Sequence, residues 1–368
     1  MTSAAPSRPR PLGARVLHAA AVLTTPLLPD DYLTLLNPLW STRQPRGRVE
    51  QVVRETEDAA TLVIRPGWGW PAHRAGQWVS VSTRIDGTWH TRSYSITSPA
   101  GDGAGDRGDG LLRITVKADP EGRVSGHFVR EIKPGAVLRL APPEGEFVLP
   151  DPVPPRILFL TAGSGVTPVM GMLRTLRSEG ATPDVLHVHS ARHADDVIFG
   201  AELREMARRL PTYRLLERHT ARRGRFTLAE LDALCPDWRD RTTLACGPAG
   251  LLADVEAHWR RAGLSDQLRI ERFQPIAFTA PDTDGGTVSF AKTGRDAPAP
   301  GGTPLLAVGE QAGVVMPSGC RMGICLSCVA PLRSGQVRDL RTGEVHGEPG
   351  ALIQTCVSAA AGACTIDL

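Results

Sequence analysis

The sequence predicts a multidomain chain: an antiparallel β-barrel, then an α/β unit with a parallel sheet, then a small glycine-rich unit. Three observations carry that expectation. From about residue 44 the chain runs in short β-branched stretches broken by Gly, Pro and Asp, as antiparallel strands do. At 151 the texture becomes strand alternating with helix, the mark of parallel βαβ units. After "PIAFTAPDTDGG" it changes again, to a segment with three cysteines in nine residues. A length of 368 residues is too great for one typical core, so two or three domains are expected.

Taken in order, residues 1–43 are an arm. "SAAPSRPRPLG" leads into "DDYLTLLNPLW", where Asp30 or Asp31 is the expected N-cap of a helix. Residues 44–150 hold the barrel strands "RVEQVVRET", "AATLVIRP", "GQWVSVSTRIDGTWHTRSYSITS" and "GLLRITVKAD", ending near "EFVLP". "GDGAGDRGDG" is read as a flexible loop within them. Residues 151–274 hold the alternating unit. The strand "RILFLTA" feeds a glycine turn and a helix, and "DVLHVHSAR", "YRLLERHT" and "TTLACGP" supply further strands. Residues 275–284 are the linker and 285–368 the cysteine-bearing unit.

Composition limits the function classes. Hydrophobic content of 41% and charged content of 22% are ordinary for a globular protein. The net charge of +3 is concentrated at the start, where residues 1–48 carry six arginines against Asp30 and Asp31. The remainder is near neutral, so nucleic-acid binding is not expected. No segment approaches the roughly 20 apolar residues that span a bilayer. "VLHAAAVLTTPLLP" is short, is interrupted by His18 and Pro26, and has no convincing cleavage site after it. Seven cysteines are too sparse for a disulfide scaffold. The chain is therefore expected to be cytoplasmic.

The cysteines have ligand spacing. Cys320-x4-Cys325-x2-Cys328 is followed by Cys356 after 27 residues, the spacing of plant-type [2Fe–2S] centres. Four thiolates are needed for two irons, and a tight loop lets three converge; Gly319 and Gly323 help it close. A structural zinc or unligated thiols are the alternatives, but zinc sites usually show paired C-x2-C halves and one half is present. Cys235 and Cys364 are read as structural. Arg321 is positioned to add charge near the cluster.

Five further motifs follow in order. "RSYS" (Arg92, Ser93, Tyr94, Ser95) offers a guanidinium fork for pyrophosphate, a flat aromatic face and a hydroxyl. Strand alternation puts Arg92 and Tyr94 on one face and Ser95 on the other, so the strand must end or twist if all three meet one ligand. "GRVSGHF" (Gly122, Val124, Ser125) follows the strand "GLLRITVKAD". "TAGSGVTP" (Gly163, Gly165, Thr167) follows a buried strand and lets a pyrophosphate approach a helix N-terminus. "CGP" (Cys246, Gly247, Pro248) ends a strand, and "ERF" (Glu271, Phe273) comes just before the linker. Each has a bland reading as a strand end or a packed turn.

In this order, the motifs and the cysteines resemble the ferredoxin–NADP⁺ reductase superfamily over 44–274. A plant-type ferredoxin domain follows over 285–368. The whole is similar to reductase components of phenol hydroxylases and ring-hydroxylating dioxygenases. The resemblance implies an FAD-binding barrel, an NAD(P)-binding α/β domain and an α+β β-grasp domain holding [2Fe–2S]. It implies that Arg92, Tyr94, Ser95, Gly122, Val124 and Ser125 bind FAD, and that "GQWV" at 76–79 is a flavin-side or packed barrel strand. It implies that Gly163, Gly165, Cys246, Gly247 and Pro248 serve the nicotinamide nucleotide and that Thr167 lies near the N5–O4 edge of the flavin. Phe273 would cover the flavin and yield to nicotinamide. Ser95, Cys246 and Glu271 would form the catalytic trio that orients hydride transfer. The metal ligands would be Cys320, Cys325, Cys328 and Cys356.

In "RHTARRGR", Arg218, Arg222, Arg223 and Arg225 suit a 2′-phosphate or form a solvated basic loop; NADPH is favoured over NADH, with Arg222 and Arg223 as its ligands. The function implied is electron transfer from NADPH to FAD to [2Fe–2S] to a partner. The arm and "IRPGWGWPAHRAGQWV" resemble actinobacterial oxidoreductases that serve membrane-bound di-iron acyl-CoA desaturases. That resemblance makes a desaturase the expected acceptor. A soluble hydroxylase or a ring-hydroxylating dioxygenase is the alternative. A non-catalytic Fe–S redox sensor is the alternative of another class. The basic arm also suits peripheral contact with an anionic membrane, or a strap packed on the body.

Overall fold

The computed structural model describes residues 29–41, 43–101, 110–120, 122–273, 285–319, 321, 323 and 326–368. Cys320, Cys325, the start of the arm, most of "GDGAGDRGDG" and the linker 275–284 lie outside the described residues. The first element is helix α1 (Pro29–Leu36). It begins at Pro29, so Asp30 and Asp31 stand in its first turn and neither is the N-cap. Proline, with φ already set and no N–H to satisfy, is well suited to that first position.

The first sheet contains β1 (Arg46–Thr56), β2 (Ala59–Pro66), β3 (Trp78–Ile85), β4 (Thr88–Ser95), β5 (Leu112–Lys117) and β6 (Val137–Leu140). Its order is β4-β3-β6-β1-β2-β5, and the bridge between Ile96 and Ile114 joins its two edges. That closure makes the antiparallel sheet a barrel. β3 and β4 form a hairpin through Asp86 and Gly87, whose φ values of 47° and 81° are the turn geometry Asp-Gly favours. Val81, Ile64, Ile114, Leu138 and Phe128 fill the barrel. Phe128 comes from helix α2 (Arg123–Arg130), which plugs one end.

The second sheet is parallel: β7 (Arg156–Ala162), β8 (Asp184–Ala191), β9 (Tyr213–His219), β10 (Thr242–Cys246) and β11 (Leu268–Glu271), in the order β11-β10-β7-β8-β9. Helices α3 (Val166–Ser178) and α4 (Gly200–Arg209) pack on one face, and α5 (Ala249–Arg261) on the other. The order reverses at β7, so ligands are expected beyond the carboxyl ends of β7 and β10.

α3 also fixes this unit to the barrel. Arg174 donates to the Thr97 carbonyl at 2.7 Å and pairs with Glu202 at 2.6 Å, and the Ala100 N–H donates to Thr175 Oγ1 at 2.8 Å. Phe147 and Leu149, from the barrel's end, share one apolar cluster with Phe159 and Met172.

The third unit has a mixed sheet of β12 (Gly286–Phe290), β13 (Arg295–Ala299), β14 (Val329–Asp339), β15 (Val345–His346) and β17 (Ser358–Ile366), ordered β13-β12-β17-β14-β15. β16 (Leu352–Gln354) pairs with β14, and β12 runs parallel to β17. Helix α6 (Leu305–Gln311) packs across it, giving the α+β arrangement of a β-grasp unit. Cys364 is buried in this core and Cys235 in that of the nucleotide unit, as structural cysteines are.

Candidate active site

Barrel and nucleotide unit meet around a cavity of about 310 Å³. Its lining includes Arg92, Ser93, Tyr94 and Ser95 together, because β4 ends at Ser95 and releases alternation there. Tyr94 is set edge-on to Phe128, with ring centroids 5.6 Å apart, and burial pushes its hydroxyl well up. Burial lowers Arg92 from its usual range, and the nearby Arg321 lowers it further.

Gly122, Val124 and Ser125 line the other wall at the start of α2, whose first turn has no side-chain cap. First-turn N–H groups without a side-chain cap suit an anion. The Ser125 hydroxyl accepts from the Asp119 N–H at 3.0 Å and donates to the Gly122 carbonyl at 3.1 Å, so it also shapes the loop. Thr167 and Phe273 complete the cavity. A guanidinium, an aromatic face and an uncapped helix end converge here, as a flavin with its pyrophosphate requires.

A second cavity, about 320 Å³, lies at the carboxyl ends of β7 and β10. Gly163, Gly165, Gly247, Pro248 and Phe273 line it. It lies between the N-termini of α3 and α5, neither of which has a side-chain cap. A Cβ on Gly165 would sit 2.1 Å from the Cys246 carbonyl oxygen, so glycine alone lets the two turns approach. Two uncapped helix ends suit a dinucleotide pyrophosphate. Phe273, Ser164 and Lys117 belong to both cavities.

Cys246 and Glu271 are in register at the ends of the neighbouring strands β10 and β11. Cys246 is buried beside the lining residue Gly247 and Glu271 is half-buried beside the lining residue Arg272, and neither lines a cavity itself. Burial, then the Glu271 charge, pushes the Cys246 thiol well up. Burial pushes the Glu271 carboxyl up to about 7.

A third cavity, about 440 Å³, lies against β8 and β9 and is lined by Leu215, Arg218, Arg223, Phe226 and Leu234 among others. Arg218 is engaged within the loop, pairing with Glu230 at 3.1 Å and donating to the Gly224 carbonyl at 3.0 Å. Arg223 reaches this cavity; Arg222 is exposed on the same single turn, outside the lining.

Of the four cysteines expected to hold the cluster, Cys328 and Cys356 are described. Their sulfurs are 3.2 Å apart and buried, well beyond a disulfide's 2.03–2.05 Å and close enough to share a metal centre. Gln354 Nε2 donates to the Gly323 carbonyl at 2.8 Å, bracing the loop. Arg321 is ion-paired with Glu310, so its charge is already compensated. Arg341, held by Asp339, is a cation close to Cys328 and Cys356.

Sequence reasoning missed Lys117, which is pinned by Asp58 at 2.6 Å where the two cavities meet; it reads as an ordinary strand-end lysine. It also missed a polar chain beneath the glycine turn. Thr161 Oγ1 is 2.7 Å from His187 Nε2 and 2.8 Å from His189 Nδ1, and His187 Nδ1 is 2.9 Å from the Tyr213 hydroxyl. Two histidines at i and i+2 in an otherwise apolar strand were the available signal.

Comparison with known proteins agrees with this geometry. Family models match over 71–149 (oxidoreductase FAD-binding domain), 159–257 (oxidoreductase NAD-binding domain) and 290–361 (2Fe-2S iron-sulfur cluster binding domain). The chain is 54% identical to an NADPH oxidoreductase of Mycobacterium tuberculosis strain H37Rv, over 95% of this chain and 91% of that one. It is 31% identical to the ferredoxin reductase component of 3-ketosteroid-9-alpha-monooxygenase of Mycolicibacterium smegmatis, over 79% and 86%. Phthalate dioxygenase reductase has a similar fold, with a TM-score of 0.63 at 23% identity over 89% of this chain and 98% of that one.

Proposed function

The chain belongs to the ferredoxin–NADP⁺ reductase superfamily and carries a C-terminal plant-type [2Fe–2S] ferredoxin domain, and on that premise we propose that it feeds electrons from NADPH to a di-iron fatty acyl-CoA desaturase. It is an NAD(P)H-dependent oxidoreductase of the type that serves oxygenases. The observation that carries the reading is the wall at Phe273 shared by the first two cavities, at the barrel and at the glycine turns. When bound, FAD would supply the conversion of a two-electron hydride from NADPH into single electrons, and a [2Fe–2S] centre would supply their one-electron outlet.

The chain's own residues bind and orient. Arg92 and the first turn of α2 hold the flavin pyrophosphate, and Tyr94 gives the ring a face. Gly163, Gly165, Gly247 and Pro248 admit the nicotinamide nucleotide. Ser95, Thr167, Cys246 and Glu271 set the geometry for hydride transfer, and Phe273 moves aside for the nicotinamide. Arg222 and Arg223 take the 2′-phosphate; the M. tuberculosis relative, named an NADPH oxidoreductase, supports that choice. Cys320, Cys325, Cys328 and Cys356 ligate the cluster. The domains responsible are 44–150, 151–274 and 285–368, with the arm 1–43 in contact with the inner face of the membrane.

A soluble oxygenase acceptor is the second reading, supported by the monooxygenase reductase relative. Reconstitution separates the two. NADPH oxidation coupled to desaturation of a long-chain acyl-CoA in membranes carrying a desaturase is the expected result. Coupling only to a soluble oxygenase would overturn the desaturase assignment.

A further inference from the structure

α1 places Tyr32, Leu35 and Leu36 at i, i+3 and i+4, on one face. That spacing ordinarily marks a face turned to a core. Here the three are 48%, 81% and 79% exposed. The next turn, Pro38–Trp40, buries Leu39 and leaves Trp40 exposed. The Trp68 N–H donates to the Leu39 carbonyl at 3.2 Å, which holds exposed Trp68 beside this turn.

A cationic strip adjoins this apolar face. The Gly67 N–H donates to the Arg46 carbonyl at 2.7 Å, joining the two features. Across the outer face of the barrel, Arg46 stands opposite Arg139 and Arg48 opposite Arg65. Like charges directly opposite are destabilising. Glu50 compensates Arg48 and Arg65, at 3.0 Å from each. Arg84 lies two residues along β3 from Ser82, the register partner of Arg139, and among the described residues no carboxylate pairs with Arg46, Arg84 or Arg139. Arg46 Nε is buried without a hydrogen-bond partner, and Arg139 lies 3.7 Å over the Trp89 ring.

We propose that this composite face is a docking surface for an anionic lipid bilayer. Tyr32, Leu35, Leu36, Trp40 and Trp68 enter the headgroup boundary, and Arg46, Arg84 and Arg139 meet the lipid phosphates. Leucines in the apolar layer, aromatics at its edge and arginines on phosphate are the pattern of an interfacial anchor. The inference deepens the membrane contact proposed above, moving its seat from the arm's composition to a built surface.

The test is co-sedimentation of the full chain with phosphatidylcholine vesicles, with and without phosphatidylglycerol, at low and high salt. Binding is expected to the anionic vesicles only and to weaken with salt. Leu35→Asp with Leu36→Asp should weaken it by at least about tenfold, with Tm and NADPH–cytochrome c reduction unchanged. Arg46→Gln with Arg84→Gln and Arg139→Gln should abolish the preference for anionic lipid. Vesicle binding that survives both variants would leave membrane contact standing and overturn this surface as its seat. No vesicle binding, with electron delivery to the acceptor lost in the same variants, would make it a protein-docking face and overturn the lipid assignment. A fall in Tm of the leucine variant would assign the face to packing within the chain, and would also overturn it.

Discussion

At the scale of single residues, the site depends on groups whose charge is set by burial. Glu271 is the clearest. Its carboxyl is raised from 4.5 to about 7, so folding favours its protonated form. That contribution is full below about 4.5 and is lost as pH rises through about 7. Glu271→Gln should therefore leave Tm unchanged at low pH and raise it progressively towards neutrality, a difference read by thermal unfolding. The same variant should slow flavin reduction by NADPH up to about a hundredfold, since misplacement at this distance from the reacting atoms is costly. Arg222→Ala with Arg223→Ala should raise KM for NADPH about tenfold to a hundredfold and leave NADH unchanged, because two charge-assisted hydrogen bonds are lost. Steady-state kinetics with both nucleotides checks it. Most cavity-lining residues were legible because they sit in short motifs with a geometric reason for each residue. Lys117 and Ser164 were not, because contact with both cavities depends on how two units pack.

At the scale of elements, strands read well where β-branched runs end in turn residues, and "AATLVIRP" coincides with β2. The start of α1 did not, because Pro29 outcompetes Asp30 and Asp31 for the boundary. The strand "DVLHVHSAR" reads as a strand and forms β8, but the part its histidines play does not show in the sequence pattern. Its histidines tie β7, β8 and β9 together through Thr161 and Tyr213. Burial drives His187 well down and His189 down to about 4, so both are neutral when folded. Their contribution is present above about 6.5 and lost as pH falls towards 4. His189 alone is worth on the order of 3 kcal/mol over that window. The unfolding transition of the nucleotide unit should therefore drop over that range. His189→Gln should flatten the drop, as followed by calorimetry.

At the scale of the whole molecule, three units in one order were legible from changes in texture along the chain. Barrel closure through Ile96 and Ile114, and the docking of α3 through Arg174, were not, since both are contacts between distant residues. The architecture separates hydride capture from single-electron output. Cys325→Ala should therefore abolish reduction of a one-electron acceptor while NADPH still bleaches the flavin. The most direct test of the central claim is anaerobic titration of the intact protein with NADPH, followed by absorbance and low-temperature EPR. The account predicts flavin bleaching together with a rhombic signal from a reduced [2Fe–2S] centre. Bound zinc in place of the cluster, or a cluster that NADPH never reduces, would contradict it.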